Sequence, residues 1–402
     1  MSGTVVKVSD VCDQIRGVSY SGDDAVPKAQ DGYLAVLRAN NITEEGLTFD
    51  DLTFVPAARI SEKQLIRSGD VVIAASSGSL SVVGKAAPAL TDLPMGFGAF
   101  CKVLRPNQKV APAYFAHYFK TRDYRQKISS LAAGANINNL RNEHLDDLQF
   151  PLPPLEEQRR IAAILDQAET LRTQRRQALA HLDTLTQSLF LDMFGDAEAK
   201  GWPIATISAV AHPDKGSMRT GPFGSQLLHS EFVEEGIAVL GIDNAVANEF
   251  RWGERRFISE AKYRDLKRYT VKPGDVLITI MGTCGRCAVV PDDIPIAINT
   301  KHLCCITLDK QKCRPEFLHA YFLRHPMARK YLAQTAKGAV MDGLNMGLIQ
   351  AMPIPVPPLA LQQTFATRIQ AIESLKATHR AALAQLDALF AALQQRAFAG
   401  EL

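Results

Sequence analysis

No stretch of this 402-residue chain approaches the ~20 consecutive apolar residues needed to cross a bilayer. Its opening residues, MSGTVVKVSD, also lack the apolar core of a secretion signal. A cytoplasmic protein with no membrane partner is the expectation. Catalytic signatures are equally scarce. There is no N/D-P-P-Y/F of an amino-methyltransferase, no GxxxxGK[ST] phosphate loop, no HExxH and no GxSxG. Asp292, Asp293 and Lys301 faintly echo a nuclease set, but Asn299, two residues before the lysine, is a poor metal ligand. No catalytic residue is assigned, and an enzyme is not expected. The seven cysteines are an odd number without a secretory context, which favours free thiols over a disulfide framework. Cys284 and Cys287 form a CxxC upstream of His302, Cys304 and Cys305. No second spaced pair follows, and adjacent cysteines on a strand point to opposite faces, so no metal is assigned. A formal charge of +3 is too small to demand a nucleic-acid partner, although the excess base lies within residues 197–352, with 20 basic against 16 acidic side chains.

What the chain does have is periodicity. From Pro154 to about Met193 it reads as one long helix, roughly 60 Å at 1.5 Å per residue. Ile161, Ile164, Ala168, Leu171, Arg175, Ala178, Leu182, Leu185 and Leu189 recur at three- and four-residue steps, the pattern of a coiled-coil seam. Pro154 suits a helix start, Glu156 and Glu157 suit the positive end of the dipole, and Gly195 marks a stop. An offset of 204 residues finds a second copy: PLPPLEEQ at Pro151 to Gln158 becomes PVPPLALQ at Pro355 to Gln362. Its seam reads Phe365, Arg368, Ile372, Leu375, His379, Ala382, Leu386, Leu389 and Leu393, and Gly400 ends it. Arg175, Arg368 and His379 interrupt the seams, which points to a wet or partner-shared contact rather than a wholly apolar one.

The length exceeds one ordinary core, so two or more domains are expected. Residues 1–150 mix strand-like runs (Tyr33 to Leu37, Asp70 to Ala74, Ala99 to Leu104) with helical stretches around Pro112 to Leu131, an α+β pattern. The same order resumes after Gly201-Trp202-Pro203. VLRANNI at Val36 meets VLGIDNA at Val239, SGDVVIAASSG at Ser68 meets PGDVLITIMGT at Pro273, and LAAGAN at Leu131 meets TAKGAV at Thr335. The whole half is therefore duplicated, globular domain plus helix. The globular copies have diverged further than the helices, which suggests one scaffold reading two different things. The domains expected are 1–150, a helix at 151–195, a second globular domain at 196–352 and a second helix at 353–402.

Globular domain, PLPPLEEQRRIAAIL helix, a second globular domain opening GWPIATIS and a second PPL-x-x-Q helix: this order resembles the specificity subunits of type I restriction-modification systems. The Phe194 to Pro203 junction, RTGPFGSQL at Arg219 to Leu227 and the GDVLI strand carry the resemblance with it, over the full chain. It implies two target recognition domains in tandem duplication, separated by two long antiparallel coiled-coil helices with pseudo-two-fold symmetry. It further implies that each domain reads one half of a split double-stranded DNA target and that the helices act as a ruler. Half-sites about one helical turn apart, ~34 Å, need such a rigid spacer. The helices of such subunits dock two methyltransferase subunits, through which restriction subunits join. S-adenosylmethionine, ATP and Mg are then expected on the partner subunits, and no cofactor on this chain. The alternative is a coiled-coil scaffold that has lost specific DNA binding.

Candidate DNA contacts are polar and basic residues on loops at strand ends, because Arg and Lys suit guanine, Asn suits adenine, and hydroxyls suit base or phosphate. In the first domain these are Arg38, Asn40, Asn41, Arg59, Lys63, Ser76, Ser77, Ser79 and Lys85. In the second they are Arg219, Gly224, Ser225, Gln226, Asn244, Arg251, Arg255, Arg256, Thr283, Arg286, Lys301 and His302, with Arg286 and Lys301 foremost. The Gly134-Ala135-Asn136 and Gly338-Ala339-Val340 loops are expected to be hinges.

Overall fold

Val71–Ala74 is four apolar residues in a row, and it forms a strand buried on both faces. Side chains alternate along a strand, so Val71 and Ile73 enter one core while Val72 and Ala74 enter another. The duplicate strand Val276–Thr279 does the same, with Val276 and Ile278 on one side and Leu277 on the other. In a computed structural model the described residues are 4–132, 138–197, 199–336 and 344–402, so both expected hinges lie outside them. The chain forms two units, Met1–Arg176 with Ala381–Leu402, and Gln177–Arg380.

The first unit carries β1 (Thr4–Lys7), β2 (Cys12–Arg16), β3 (Tyr33–Leu37), β4 (Thr53–Pro56), β5 (Val71–Ala74), β6 (Ser76–Ser77), β7 (Ala86–Pro88), β8 (Gly96–Phe97), β9 (Cys101–Pro106), β10 (Asn138–Asn139) and β11 (Gln149–Leu152). Its helices are α1 (Pro112–Tyr118), α2 (Arg122–Ala132), α3 (Asn142–Asp146) and the first part of α4 (Leu155–Phe194). A sheet of order β2-β9-β5-β7 is the central layer. On one face lies the small sheet β4-β3-β8; on the other, α1, α2 and the long helices close the larger core.

The second unit repeats this with β12 (Ile204–Thr206), β13 (Met218–Thr220), β14 (Phe232–Val233), β15 (Ile237–Leu240), β16 (Phe257–Ile258), β17 (Val276–Thr279), β18 (Cys287–Val289), β19 (Ala297–Asn299), β20 (Leu303–Ile306) and β21 (Pro353–Pro355). Its helices are α5 (Ile207–Val210), α6 (Glu260–Leu266), α7 (Pro315–Arg324), α8 (Pro326–Ala336), α9 (Met346–Ala351) and the first part of α10 (Leu359–Ala399). The sheets run β13-β20-β17-β18 and β14-β16-β15-β19. Cys304 and Cys305 enter opposite cores, as strand alternation requires. Six of the seven thiols are buried, and burial pushes those of Cys12, Cys101 and Cys304 up to about 12. Cys284 is half-exposed, in the turn after β17.

Within each unit α4 and α10 pack antiparallel, and the buried seam corrects half of the one read from sequence. Positions Ile161, Ala168, Phe365 and Ile372 are buried, and Leu182, Leu189, Leu386 and Leu393 half-buried. The intervening row is shifted by one residue. Leu171, Leu185, Leu375 and Leu389 are 43%, 50%, 52% and 50% exposed, and Ile164 is only half-buried. Gln158, Leu165, Arg172, Thr186 and Met193 take that row on α4, and Gln362, Lys376, Phe390 and Ala397 on α10. Five of these nine side chains, Gln158, Arg172, Thr186, Gln362 and Lys376, are polar, which hid the row from a pattern of apolar residues.

Those polar positions are satisfied in duplicate. Gln158 Oε1 accepts from Ala111 N at 2.8 Å while its Nε2 donates to Pro153 O at 2.7 Å; Gln362 does the same with Arg314 N at 2.9 Å and Pro357 O at 2.8 Å. These bonds fasten the start of each long helix to the segment entering α1 or α7. Further along, Arg172 is bonded by Glu169 of its own helix and by Asp387 of α10, and lies over the Phe390 ring. Lys376, its duplicate, meets Glu373 and Asp183, each at 2.8 Å. One carboxylate from each helix on one cation, Lys376 buried and Arg172 half-buried, fixes the facing of the two helices, because any slip strands that charge.

Candidate nucleic-acid interface

In each unit two parallel strands end side by side, β3 with β8 and β15 with β19. A third segment crosses those ends closely enough to exclude a side chain. A Cβ at Gly17 would lie 2.0 Å from Gly98 O, and one at Gly221 would lie 1.9 Å from Asn299 O. Only glycine fits such an approach. The loops leaving these strand ends hold nine of the sequence-derived candidates: Arg38, Asn40 and Asn41 in the first unit, and Asn244, Arg251, Arg255, Arg256, Lys301 and His302 in the second.

In the second unit the gathering is clear. The turn after β17 is held by Thr279, whose Oγ1 donates to Thr283 O at 2.6 Å and accepts from Arg286 N at 2.9 Å. Ile280 N donates to His302 O at 2.9 Å, which sets the Thr283–Arg286 turn beside Lys301 and His302. Burial, then the charges of Lys301 and Arg256, hold the His302 imidazole below its usual range. Arg256 reaches Asp243 within the β15–β16 connection. Among the described residues, Asp243 Oδ2, Arg256 Nε, Asn299 Oδ1 and Thr300 Oγ1 are buried here without a hydrogen-bond partner. Arg286 is exposed; Arg255 stacks on Trp252 at 5.0 Å, and Arg251 is tied to Glu249.

Three candidates are corrected. Arg219 is 8% exposed and donates through Nη2 to Asp275 Oδ2 at 2.7 Å and to Thr270 O at 2.6 Å, so it is a core ion pair. Asn244 and Asn41 are buried at 3% and 0% exposure. Asn244 Oδ1 accepts from Gly241 N and its amide donates to Arg251 O; Asn41 repeats this with Arg38 N and Asp50 O. Both asparagines hold the loops that carry other candidates. Gln226 is likewise engaged, its Oε1 accepting from Phe223 N and from the Tyr269 hydroxyl, while Gly224 and Ser225 stay exposed in the same turn.

In the first unit the candidates do not all meet. Arg38 and Asn40 sit at the β3 end, with Arg38 Nη2 donating to Asp51 O at 2.6 Å. Arg59 pairs with Asp24 and exposed Lys63 lends its carbonyl to Arg105. Ser76 and Ser77 form β6 and pair with β10, and Ser79 bonds Ser81. Lys85 lines a separate cavity of about 320 Å³ with Arg125 and Arg172. Lys102, which the sequence reading did not single out, lies beneath the surface near Arg16 and Arg141. A lone lysine in an apolar strand is the signal that would have found it.

No helix among the described residues is long and apolar enough to cross a membrane. The profile of the type I restriction modification DNA specificity domain matches residues 3–181 and 242–388. The chain is 32% identical to the type I restriction enzyme EcoKI specificity subunit of Escherichia coli (strain K12), over 99% of this chain and 89% of that one. It is also 32% identical to the StySPI specificity subunit of Salmonella potsdam, over 98% and 88%. In structure it is similar to the type I restriction-modification S subunit from M. genitalium, with a TM-score of 0.61, 14% identity and coverage of 98% and 96%.

Proposed function

The chain belongs to the type I restriction modification DNA specificity family, and from that membership we propose that it reads a split DNA target and docks two methyltransferase subunits. Residues 1–150 and 196–352 are the two recognition domains, and the helices at 151–195 and 353–402 are the spacer and docking elements. The chain is a specificity subunit, not itself an enzyme. The observation that carries the split reading is the duplication itself. The same glycine-crossed pair of strand ends occurs twice, with different side chains around it: Arg38 and Asn40 once; Arg256, Lys301 and His302 once, with Arg286 on the adjoining turn after β17. Two copies of one frame with two chemistries suit two different half-sites.

Docking on the helices is supported by the exposed leucines. Leu171 and Leu389 belong to one unit, and their duplicates Leu375 and Leu185 belong to the other. Each unit thus offers the same pair of uncovered leucines, one on each helix at equivalent positions, which suits two copies of the same partner. Leu171→Asp with Leu375→Asp is expected to weaken methyltransferase capture at least tenfold while leaving thermal unfolding unchanged. Retained capture would remove these leucines from the docking surface.

The test of the whole reading is co-expression with the partner methyltransferase in a methylation-free host, followed by mapping of modified bases. A motif of two short half-sites around a fixed gap is expected, and exchange of residues 1–150 should alter one half only. An assembled complex that modifies nothing would point to a scaffold with silent recognition domains.

A further inference from the structure

The duplication supplies an internal control for one buried charge. Lys102 faces Ile73 and Arg16 across its two ladders, and Cys304 faces Ile278 and Thr220 across the equivalent ones. Lys102 and Cys304 are therefore duplicates, as are Arg16 and Thr220, and two residues along the same ladders Gln14 matches Met218. The 204-residue offset matches Arg141 with Asn345 and Asn142 with Met346, at the starts of α3 and α9. In the second unit Met218, Cys304 and Met346 are apolar packing. In the first, Lys102 is 8% exposed, and its Nζ donates to Gln14 Oε1 at 3.0 Å and Asn142 Oδ1 at 2.7 Å.

A buried ammonium is costly, and apolar side chains in its place are commonly neutral or stabilising. The second unit shows that this frame is filled without one. Lys102 therefore serves something other than the fold. Burial above all, and Arg16 after it, push its ammonium down to about 8, against the opposing pull of Asp146 and Glu143. Two of the three ammonium N–H groups are taken by neutral acceptors, which leaves one to give. Lys102 lines a cavity of about 450 Å³ shared with exposed Arg16 and with Arg141, whose guanidinium is 65% exposed and pairs with Glu143 at 3.2 Å.

We propose that this cavity holds a phosphate group of the DNA backbone, with Arg16 and Arg141 at its mouth and Lys102 at its base, and that the second unit has no counterpart. The proposal rests on the reading of the chain as a DNA-specificity subunit. It makes the two recognition domains unequal: one is anchored on the strand by a built phosphate site, while the other carries Thr220, Cys304 and Asn345 there.

The experiment is a salt titration of the full chain binding a labelled duplex of random sequence. Arg16→Thr and Lys102→Met are each expected to weaken binding about tenfold and to flatten the salt slope by about one. The triple Gln14→Met, Lys102→Cys, Asn142→Met copies the packing of the second unit, so it should melt no lower than wild type and show the same loss. A folded triple with unchanged affinity and slope overturns the proposal. If inorganic phosphate at constant ionic strength raises wild-type melting while the triple still binds duplex normally, the cavity belongs to the free ion and the DNA assignment falls. Failure of the wild type to bind any duplex would fall on the specificity-subunit reading itself.

Discussion

Replacing Arg219 by isoleucine is expected to destabilise the second unit by about 3–5 kcal/mol, with a fall in melting temperature on the order of 10 °C. Asp275 is 1% exposed, and Arg219 is the cation that balances it. Lys272 N and the Thr307 hydroxyl also donate to that carboxylate, at 2.9 and 2.7 Å, but neither brings charge. The first unit meets the same need differently. Asp70, the duplicate of Asp275, is bound through both Nε and Nη2 of Arg105, each at 2.8 Å. By strand register Arg105 corresponds to Thr307, and Ile15 to Arg219. Adding Thr307→Arg to Arg219→Ile therefore transplants one unit's arrangement into the other and is expected to recover most of the loss. Denaturant unfolding of the single and double variants measures both. A double variant no better than the single would contradict the residue-by-residue equivalence of these strands.

Truncating Phe365 to alanine is expected to cost about 3–5 kcal/mol, whereas Leu375→Ala, ten residues further along the same helix, should stay within about 0.5 kcal/mol. Phe365 is fully buried and meets the Phe190 and Phe194 rings at 5.6 and 5.3 Å. Leu375 is half in solvent. A seam through both residues would make the two losses comparable. The measured ratio therefore reports which row of α10 faces α4, independently of any partner.

The same pair of residues shows what could be read from the chain alone. Every seventh residue from Phe365 was legible because phenylalanine, isoleucine and leucine occupy most of those places. The other row was misplaced by one residue because Gln362 and Lys376 stand in it, while exposed Leu375 and Leu389 offered a more hydrophobic alternative. Strands survived better. Tyr33–Leu37 has the bounds expected of it, and the helix after Pro154 runs Leu155–Phe194. Short elements are decided by local composition, which sequence displays. The candidate contacts failed where polarity served the interior: Asn41, Asn244 and Arg219 are the residue types that read bases, yet each completes a backbone or charge network. Arg219 finds Asp275 at a separation of 56 residues, a contact that no local pattern announces. Lys102 went unnoticed for the converse reason, since its meaning depends on Cys304 occupying the same place in the other copy.

The burial of six thiols leaves the protein with an unplanned experimental asset. Nucleophilic attack needs an accessible thiolate, and burial denies this to Cys12, Cys101, Cys287, Cys304, Cys305 and Cys313. Cys284, half-exposed and two residues from Arg286, is left as the natural attachment point for a maleimide fluorophore. The unaltered chain can thus be tagged beside Arg286, and on the proposed function the dye's emission would follow duplex arrival there in real time.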